Sequence, residues 1–191
     1  VEGKSIIIDY IKDITNSLSL GRDICRGFTN YLKEVGEEPT VQPFPPLVTP
    51  IDIFAKTFKV KLYKDIPANL PYIKCKGPQI KRVFVNLFIN ACQAVERQEI
   101  KKVTIKAWSE KGCIVVSIHD NGHGIPEHVL PHIFDEHYTT KKEGNGLGLS
   151  MVKRIMHCHN GTISCSTAVG EGTTFTLSLP VFDFDDQDGI N

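Results

Sequence analysis

Four clusters of polar and glycine residues hold the groups in this chain that can do chemistry. Asn86 and Asn90 stand four apart in "NLFINACQA", a spacing that puts both side chains on one face of a helix. Amide oxygens placed in this way can ligate a hard cation, and Mg2+ prefers a few protein oxygens together with water and phosphate. In "HDNGHGIP", Asp120 ends an alternating run and is followed by Gly122, Gly124 and Ile125. A carboxylate held at a strand end accepts a hydrogen bond from an exocyclic amine, while glycines let the backbone pass close to a flat ring. "IFDEHYTTKKEG" sets an aromatic anchor, Phe134, before hydroxyls and a cation at Thr139, Thr140 and Lys141, a composition suited to a flap that grips phosphate. Last comes "EGNGLGLSMVKRI", with Gly144, Gly146 and Gly148 at the entry to a helical run and Leu147 and Leu149 beside them. Backbone amides at such an entry face an anion readily.

The glycine triplet fits neither common phosphate loop. Its spacing is G-x-G-x-G, whereas the two familiar patterns are G-x-x-x-x-G-K-[ST] and G-x-G-x-x-G. Each position also has a plainer use: Asp120 and Asn121 before glycine make a turn, and Asn90 can be an internal polar group. Thr139 and Thr140 can cap a helix, and Lys141 can be a solvated charge. The weight lies in the combination and its order.

The elements that must position these groups are readable from periodicity. Ile7, Ile11, Ile14, Leu18, Gly21, Cys25, Phe28, Leu32 and Val35 alternate between spacings of four and three, a heptad seam. A helix over residues 4 to 35 would be about 48 Å long, more than one small domain covers, so the seam predicts a partner helix. "GEEPTVQPFPPLVTP", residues 36 to 50, carries five prolines and predicts a linker or lid-like crossing. "FKVKLYKD" alternates as a strand, and "PQIKRVFVNLFINACQAVERQ" is helical through Ile80, Val83, Phe84, Leu87, Phe88, Ala91 and Val95. "KVTIKAWSE" and "CIVVSIHD" predict a hairpin turning at Glu110, Lys111 and Gly112. A helix over 147 to 159 ends near Asn160-Gly161, and "GTISCSTAVGEGTTFTLSLP" predicts a closing hairpin. Strands and helices come in clusters without βαβ alternation, which predicts an α+β fold with a helix layer on one face of a mixed sheet. The tail "FDFDDQDGIN" is acidic, lacks periodicity and is expected to fray.

With 22 basic and 22 acidic residues in 191, no global field draws the chain to nucleic acid or a membrane surface. No run reaches the roughly 18 to 20 apolar residues that span a bilayer, so a soluble, cytoplasmic segment without direct membrane contact is expected. The chain begins at Val1, inside the heptad pattern, which predicts a piece of a longer polypeptide. Six cysteines without C-x-x-C spacing read as reduced, mostly buried thiols.

Taken in order, the motifs resemble those of the ATP-binding catalytic domain of sensor histidine kinases, within the gyrase, Hsp90, histidine kinase and MutL superfamily. "NLFINACQA" looks like the N box, "DNGHGIP" the first glycine box, "IFDEHYTTK" the F box, "GNGLGLSMVKRI" the second glycine box and "GEGTTFTLSLP" the closing glycine-threonine strand. The resemblance implies the Bergerat fold, a two-layer α/β sandwich over residues 51–181. It is preceded by part of a dimerisation and phosphotransfer helix over 1–36 and a linker over 37–50, and followed by the acidic tail, 182–191.

It implies ATP and Mg2+ as ligands, a homodimer through the heptad helix, and a response-regulator receiver domain as partner. Asp120 would bond the adenine amino group, a charge-assisted contact of about 1.5 to 3 kcal/mol. Gly122, Gly124 and Ile125 would shape the base pocket, and Thr173 would meet the same edge of the base. Asn90 would ligate Mg2+, with Asn86 beside it. Thr139, Thr140 and Lys141 would form the lid, while Gly144, Gly146, Leu147, Gly148 and Leu149 would surround the phosphates. Asn86, Asn90 and Lys141 would carry the catalytic roles. Hydrolytic branches, and the related anti-sigma serine kinases, carry a glutamate base where this chain has Asn86, which favours transfer to histidine over hydrolysis. The phosphoacceptor box, a His followed by an acidic residue and shortly by proline, does not occur in the 191 residues. The acceptor is therefore expected elsewhere. A serine kinase and a non-catalytic, ATP-gated dimerisation module are the competing readings.

Overall fold

Strict alternation in two neighbouring segments sets the centre of the fold. In β4 (Lys102–Glu110), Val103, Ile105 and Ala107 are buried while Lys102, Lys106 and Trp108 face out. In β5 (Cys113–Asp120), Ile114, Val116 and Ile118 are buried, and the same period of two puts Asp120 in the next inward place. The structure, a computed structural model, describes residues 38–140 and 146–184. The heptad seam of residues 1–36 and the end of the acidic tail lie outside the described residues.

Seven strands and three helices are described. They are β1 (Thr40–Pro43), α1 (Ile51–Thr57), β2 (Lys61–Asp65), β3 (Tyr72–Cys75), α2 (Gly77–Ala94), β4, β5, α3 (Gly148–Cys158), β6 (Thr162–Ala168) and β7 (Gly172–Pro180). Five strands form one sheet in the order β2-β4-β5-β7-β6, and β1 pairs with β3 in a small second sheet. Only the β2–β4 pair of the larger sheet is parallel, so the sheet is mixed, as the clustering of elements predicts. Lys111 and Gly112 take positive φ of 51° and 73°, the conformation a tight turn between β4 and β5 needs.

α2 and α3 pack on each other and on the inward face of the sheet. The inward stripe of α2 is the predicted one: Ile80, Val83, Phe84, Leu87, Phe88 and Ala91, with Val95 just past its end, are all buried. α3 adds Val152, Ile155 and Met156. Full burial of such a side chain contributes roughly 1.5–3 kcal/mol, so this layer is the main source of stability and holds both helices in register with β5. Pro78 sits in the first turn of α2, where no amide partner is lost.

Three expectations change. The proline-rich stretch is packed into the domain: Phe44, Leu47 and Val48 are at most 1% exposed, and the Phe44 ring meets Phe84 edge-on at 5.8 Å. Pro43 ends β1, Pro45 and Pro46 lie in a 3-10 turn (Pro45–Leu47) and Pro50 is the N-cap of α1, places where a fixed φ costs little and the missing amide is not needed. "FKVKLYKD" is a strand only from Lys61; Phe58 instead closes α1, its N–H donating to Phe54 O, and Lys59 turns with a φ of 52°. The acidic tail is anchored at its start, where Phe182 N–H donates to Tyr72 O at 2.7 Å and Phe184 stacks edge-on with Tyr72 and Phe182. Among the described residues the cysteines are free thiols. Burial pushes Cys75 up to about 11 and Cys92 up to about 12, so neither is a nucleophile at neutral pH.

Candidate nucleotide site

Asp120 is the unusual group of this molecule. It occupies a core position at 2% exposure, and its Oδ1 accepts the Gly122 N–H at 2.9 Å. The Thr173 N–H from β7 also reaches the carboxylate. Burial raises its pKa above the usual carboxylate range, and the two amides pull it back only in part. Asp120 and Thr173 are register partners across the β5–β7 pair, and Thr173 is itself only 4% exposed. Asn121 braces this strand end: its Oδ1 accepts the Lys102 N–H at 2.9 Å and its Nδ2 donates to Ile100 O at 2.8 Å.

The glycines around Asp120 are there because nothing larger fits. A Cβ on Gly122 would lie 2.7 Å from the Ala94 carbonyl oxygen at the end of α2. Gly124 has a φ of 71° and lies so close to Ala168 that a Cβ there would overlap the Ala168 carbonyl. Ile125, half-buried, packs against the core, and its N–H donates to Thr167 Oγ1 at 2.9 Å. Here the first glycine segment, the end of α2 and the β6–β7 hairpin meet around one buried carboxylate.

The other end of the site is built from the starts of α2's polar face and of α3. Asn86 and Asn90, both half-buried, share one side of α2. The Asn86 Nδ2 donates to Arg82 O at 2.9 Å, and its Oδ1 lies 3.7 Å from where a Cβ on Gly148 would sit. The amide oxygen is thus turned toward the entry of α3. Leu147, whose side chain has no polar atom to cap with, is the N-cap residue of α3, and Gly148 and Leu149 begin a helix whose entry carries the positive end of the helix dipole.

Gly146, with a φ of 66°, crosses backbone to backbone against His137, whose N–H donates to Gly146 O at 3.1 Å. His137 itself has a φ of 63°, so two positive-φ residues close the stem of the segment between them. Phe134 anchors that segment by meeting the Phe175 ring of β7 edge-on at 6.4 Å. Thr139 and Thr140 are exposed on it, and Leu147 is 38% exposed at its far side. Lys141 and Gly144 lie outside the described residues.

The structure therefore brings Asp120, Gly122, Gly124, Ile125 and Thr173 together around the β6–β7 hairpin, and Asn86 to Gly148. Sequence reasoning missed Asn121, Thr167 and His159. His159 accepts the Lys76 N–H on Nε2 at 3.0 Å while its Nδ1 meets Ile155 O at 2.8 Å, joining the end of α3 to the start of α2. Inward parity on β6, where Ile163, Cys165 and Thr167 alternate with exposed residues, was the available signal for Thr167.

A five-stranded mixed sheet layered by helices, with a carboxylate at the inward end of a central strand and glycine loops on either side, defines a nucleotide-binding ATPase fold. Residues 75–183 match the family described as histidine kinase-, DNA gyrase B-, and HSP90-like ATPase, and the chain belongs to that family. Among curated proteins it is 42% identical over 128 residues to the sensor histidine kinase ZraS of Escherichia coli, an overlap of 66% of this chain and 27% of that protein. It is 36% identical to the signal transduction histidine-protein kinase AtoS of Escherichia coli, over 64% of this chain and 20% of that one. The chain thus spans about a quarter or less of the length of these relatives. Among solved structures, the catalytic domain of histidine kinase ThkA superimposes with a TM-score of 0.66 at 25% identity, covering 76% of this chain and 97% of that one. No helix among the described residues is long and apolar enough to cross a membrane.

Proposed function

We propose that this chain is the ATP-binding catalytic core of a two-component sensor histidine kinase. It would pass the γ-phosphate of ATP to a histidine outside these 191 residues, from which a response-regulator aspartate would take it. The observation that carries this reading is Asp120: a carboxylate buried at a strand end, held by two backbone amides and flanked by glycines that admit no side chain. An ionised carboxylate there is an acceptor only. It favours the six-amino group of adenine and repels the six-oxygen of guanine.

Asn90 would ligate Mg2+, with Asn86 turned toward the same space. The fit is supported by the orientation of Asn86, whose amide oxygen faces the start of α3. Bound there with ATP, Mg2+ would neutralise charge on the phosphates. Thr139, Thr140 and Lys141 would close over them, and the amides near Gly146 and Gly148 would face them. An amide at position 86 takes no proton at neutral pH, so this residue orients and does not activate water. Transfer is then carried by positioning and electrostatics.

The names of the relatives support transfer to histidine over transfer to serine. Residues 1–36 would pair two copies through the heptad seam, giving a homodimer, and the domain would work in the cytoplasm. The test is radiolabelled ATP with the chain and its preceding segment. Acid-labile, alkali-stable label on the protein is expected; acid-stable label would rule out phosphohistidine.

A further inference from the structure

Thr167 belongs to none of the sequence motifs, yet its hydroxyl joins three parts of the site. Oγ1 donates to Gly172 O at 2.9 Å, accepts the Ile125 N–H at 2.9 Å and lies 3.1 Å from Thr173 Oγ1. A hydroxyl has one hydrogen and two lone pairs. Gly172 O cannot donate, so the hydrogen of Thr167 is committed to it, and the Ile125 amide takes one lone pair. The contact with Thr173 then forms in one direction only: the Thr173 O–H donates into the remaining lone pair of Thr167.

Thr173 is thereby left with lone pairs alone. It is the register partner of Asp120, and both are almost fully buried. Ionised Asp120 is likewise an acceptor. The buried end of the proposed site offers an incoming base acceptors from both strands.

We infer that Thr167 is a positioning residue for nucleobase specificity: by holding the Thr173 hydroxyl as an acceptor, it makes the pocket prefer a six-amino purine to a six-oxo purine. The inference rests on the reading of Asp120 as the partner of the base. At the six-position an oxo group sets its lone pairs against those of Asp120 and Thr173, and the N1–H of a six-oxo purine does not remove that mismatch. Without the Thr167 hydroxyl, the Thr173 O–H is free to rotate and donate to that oxygen, and part of the discrimination is lost. Sites that pair buried polar groups owe their selectivity to such mismatches.

The experiment is calorimetry on the chain with ATP and with inosine triphosphate, which carries oxygen at the six-position and no two-amino group. Thr167→Val keeps the shape and removes the hydroxyl; its ATP-to-inosine-triphosphate affinity ratio should fall about tenfold. Thr167→Ser should keep the wild-type ratio. If the valine variant fails to fold, judged by circular dichroism, Thr167→Ala answers the same question. A water in the vacated space can satisfy Ile125 and Gly172, but its second hydrogen no longer obliges Thr173 to donate, so the ratio should fall there too.

A purely structural role for Thr167 would weaken both nucleotides alike, and an unchanged ratio in the valine or alanine variant overturns the inference. In a Thr173→Ala background, Thr167→Val should change the ratio no further, and a further fall of similar size also overturns it. Wild-type chain that binds neither nucleotide sinks the adenine reading of Asp120 and this inference with it. Wild-type chain that binds ATP in an Asp120-dependent way but does not discriminate sinks only the inference.

Discussion

The two ends of the proposed nucleotide site are built on opposite principles. At the base end, Asp120 and Thr173 are buried and interlocked through Gly122, Thr167 and Ile125, with glycines pressed against backbone. At the proposed phosphate end, Thr139 and Thr140 are exposed, α3 opens at Gly148, and the His137 N–H donates to Gly146 O. A buried polar cluster is selective because any wrong partner leaves groups unpaired in a low-dielectric place. Exposed hydroxyls and the amides at a helix entry hold charge without such penalties.

The contrast can be broken most severely at Asp120. Asp120→Asn replaces one acceptor oxygen by a donor, and ATP affinity should drop at least about a hundredfold while far-UV circular dichroism stays native. Unchanged affinity by calorimetry would falsify the adenine assignment.

Two glycines of one hairpin test how tightly the base end is packed. A Cβ on Gly172 would overlap the Asp120 carbonyl, whereas one on Gly170 would meet nothing within 4 Å, although both have positive φ. Gly172→Ala should cost about 3 kcal/mol or more in chemical denaturation and abolish ATP binding. Gly170→Ala should cost only the left-handed penalty of about 1 kcal/mol and leave binding intact. Equal costs would mean that the hairpin yields and the packing argument is wrong.

Gly146→Ala strikes the other end, because its Cβ would collide with the His137 backbone. ATP should bind about tenfold more weakly, with adenosine affinity preserved, since only the stem of the phosphate segment is displaced. Parallel losses for ATP and adenosine would show that the two ends are not separable.

The gentlest probe is pH. Burial raises the Asp120 pKa in the free protein, and the adenine amino group needs the anion. Affinity should therefore be full above that raised pKa and fall as pH drops through it, at a higher pH than an ordinary carboxylate would give. Binding favours the anion and so releases the proton that Asp120 holds below that pKa. A calorimetric pH series checks this, and the slope should vanish in Asp120→Asn.

Much of this is legible in the sequence. The stripe of α2, the two hairpins, the helix opened by Gly148 and the ordered motifs all rest on local periodicity and on glycine or turn chemistry, which neighbouring residues alone specify. Harder to read was whatever depended on which strands become neighbours. The burial of Phe44 turned an expected linker into part of the core, because α2 supplies the surface that covers it. Thr167 and Asn121 look like ordinary strand and turn residues until β7 and β4 lie beside them.

By itself, the sequence determined the family, the α+β class, and the identity of the carboxylate, amides and glycines available for chemistry, because residue types and their spacing are local facts. The tertiary structure decided that Asp120 lies in the core, that Thr173 stands opposite it and that Thr167 orders its hydroxyl. Each is set by contacts between segments far apart in the chain, and burial then gives those polar groups their strength.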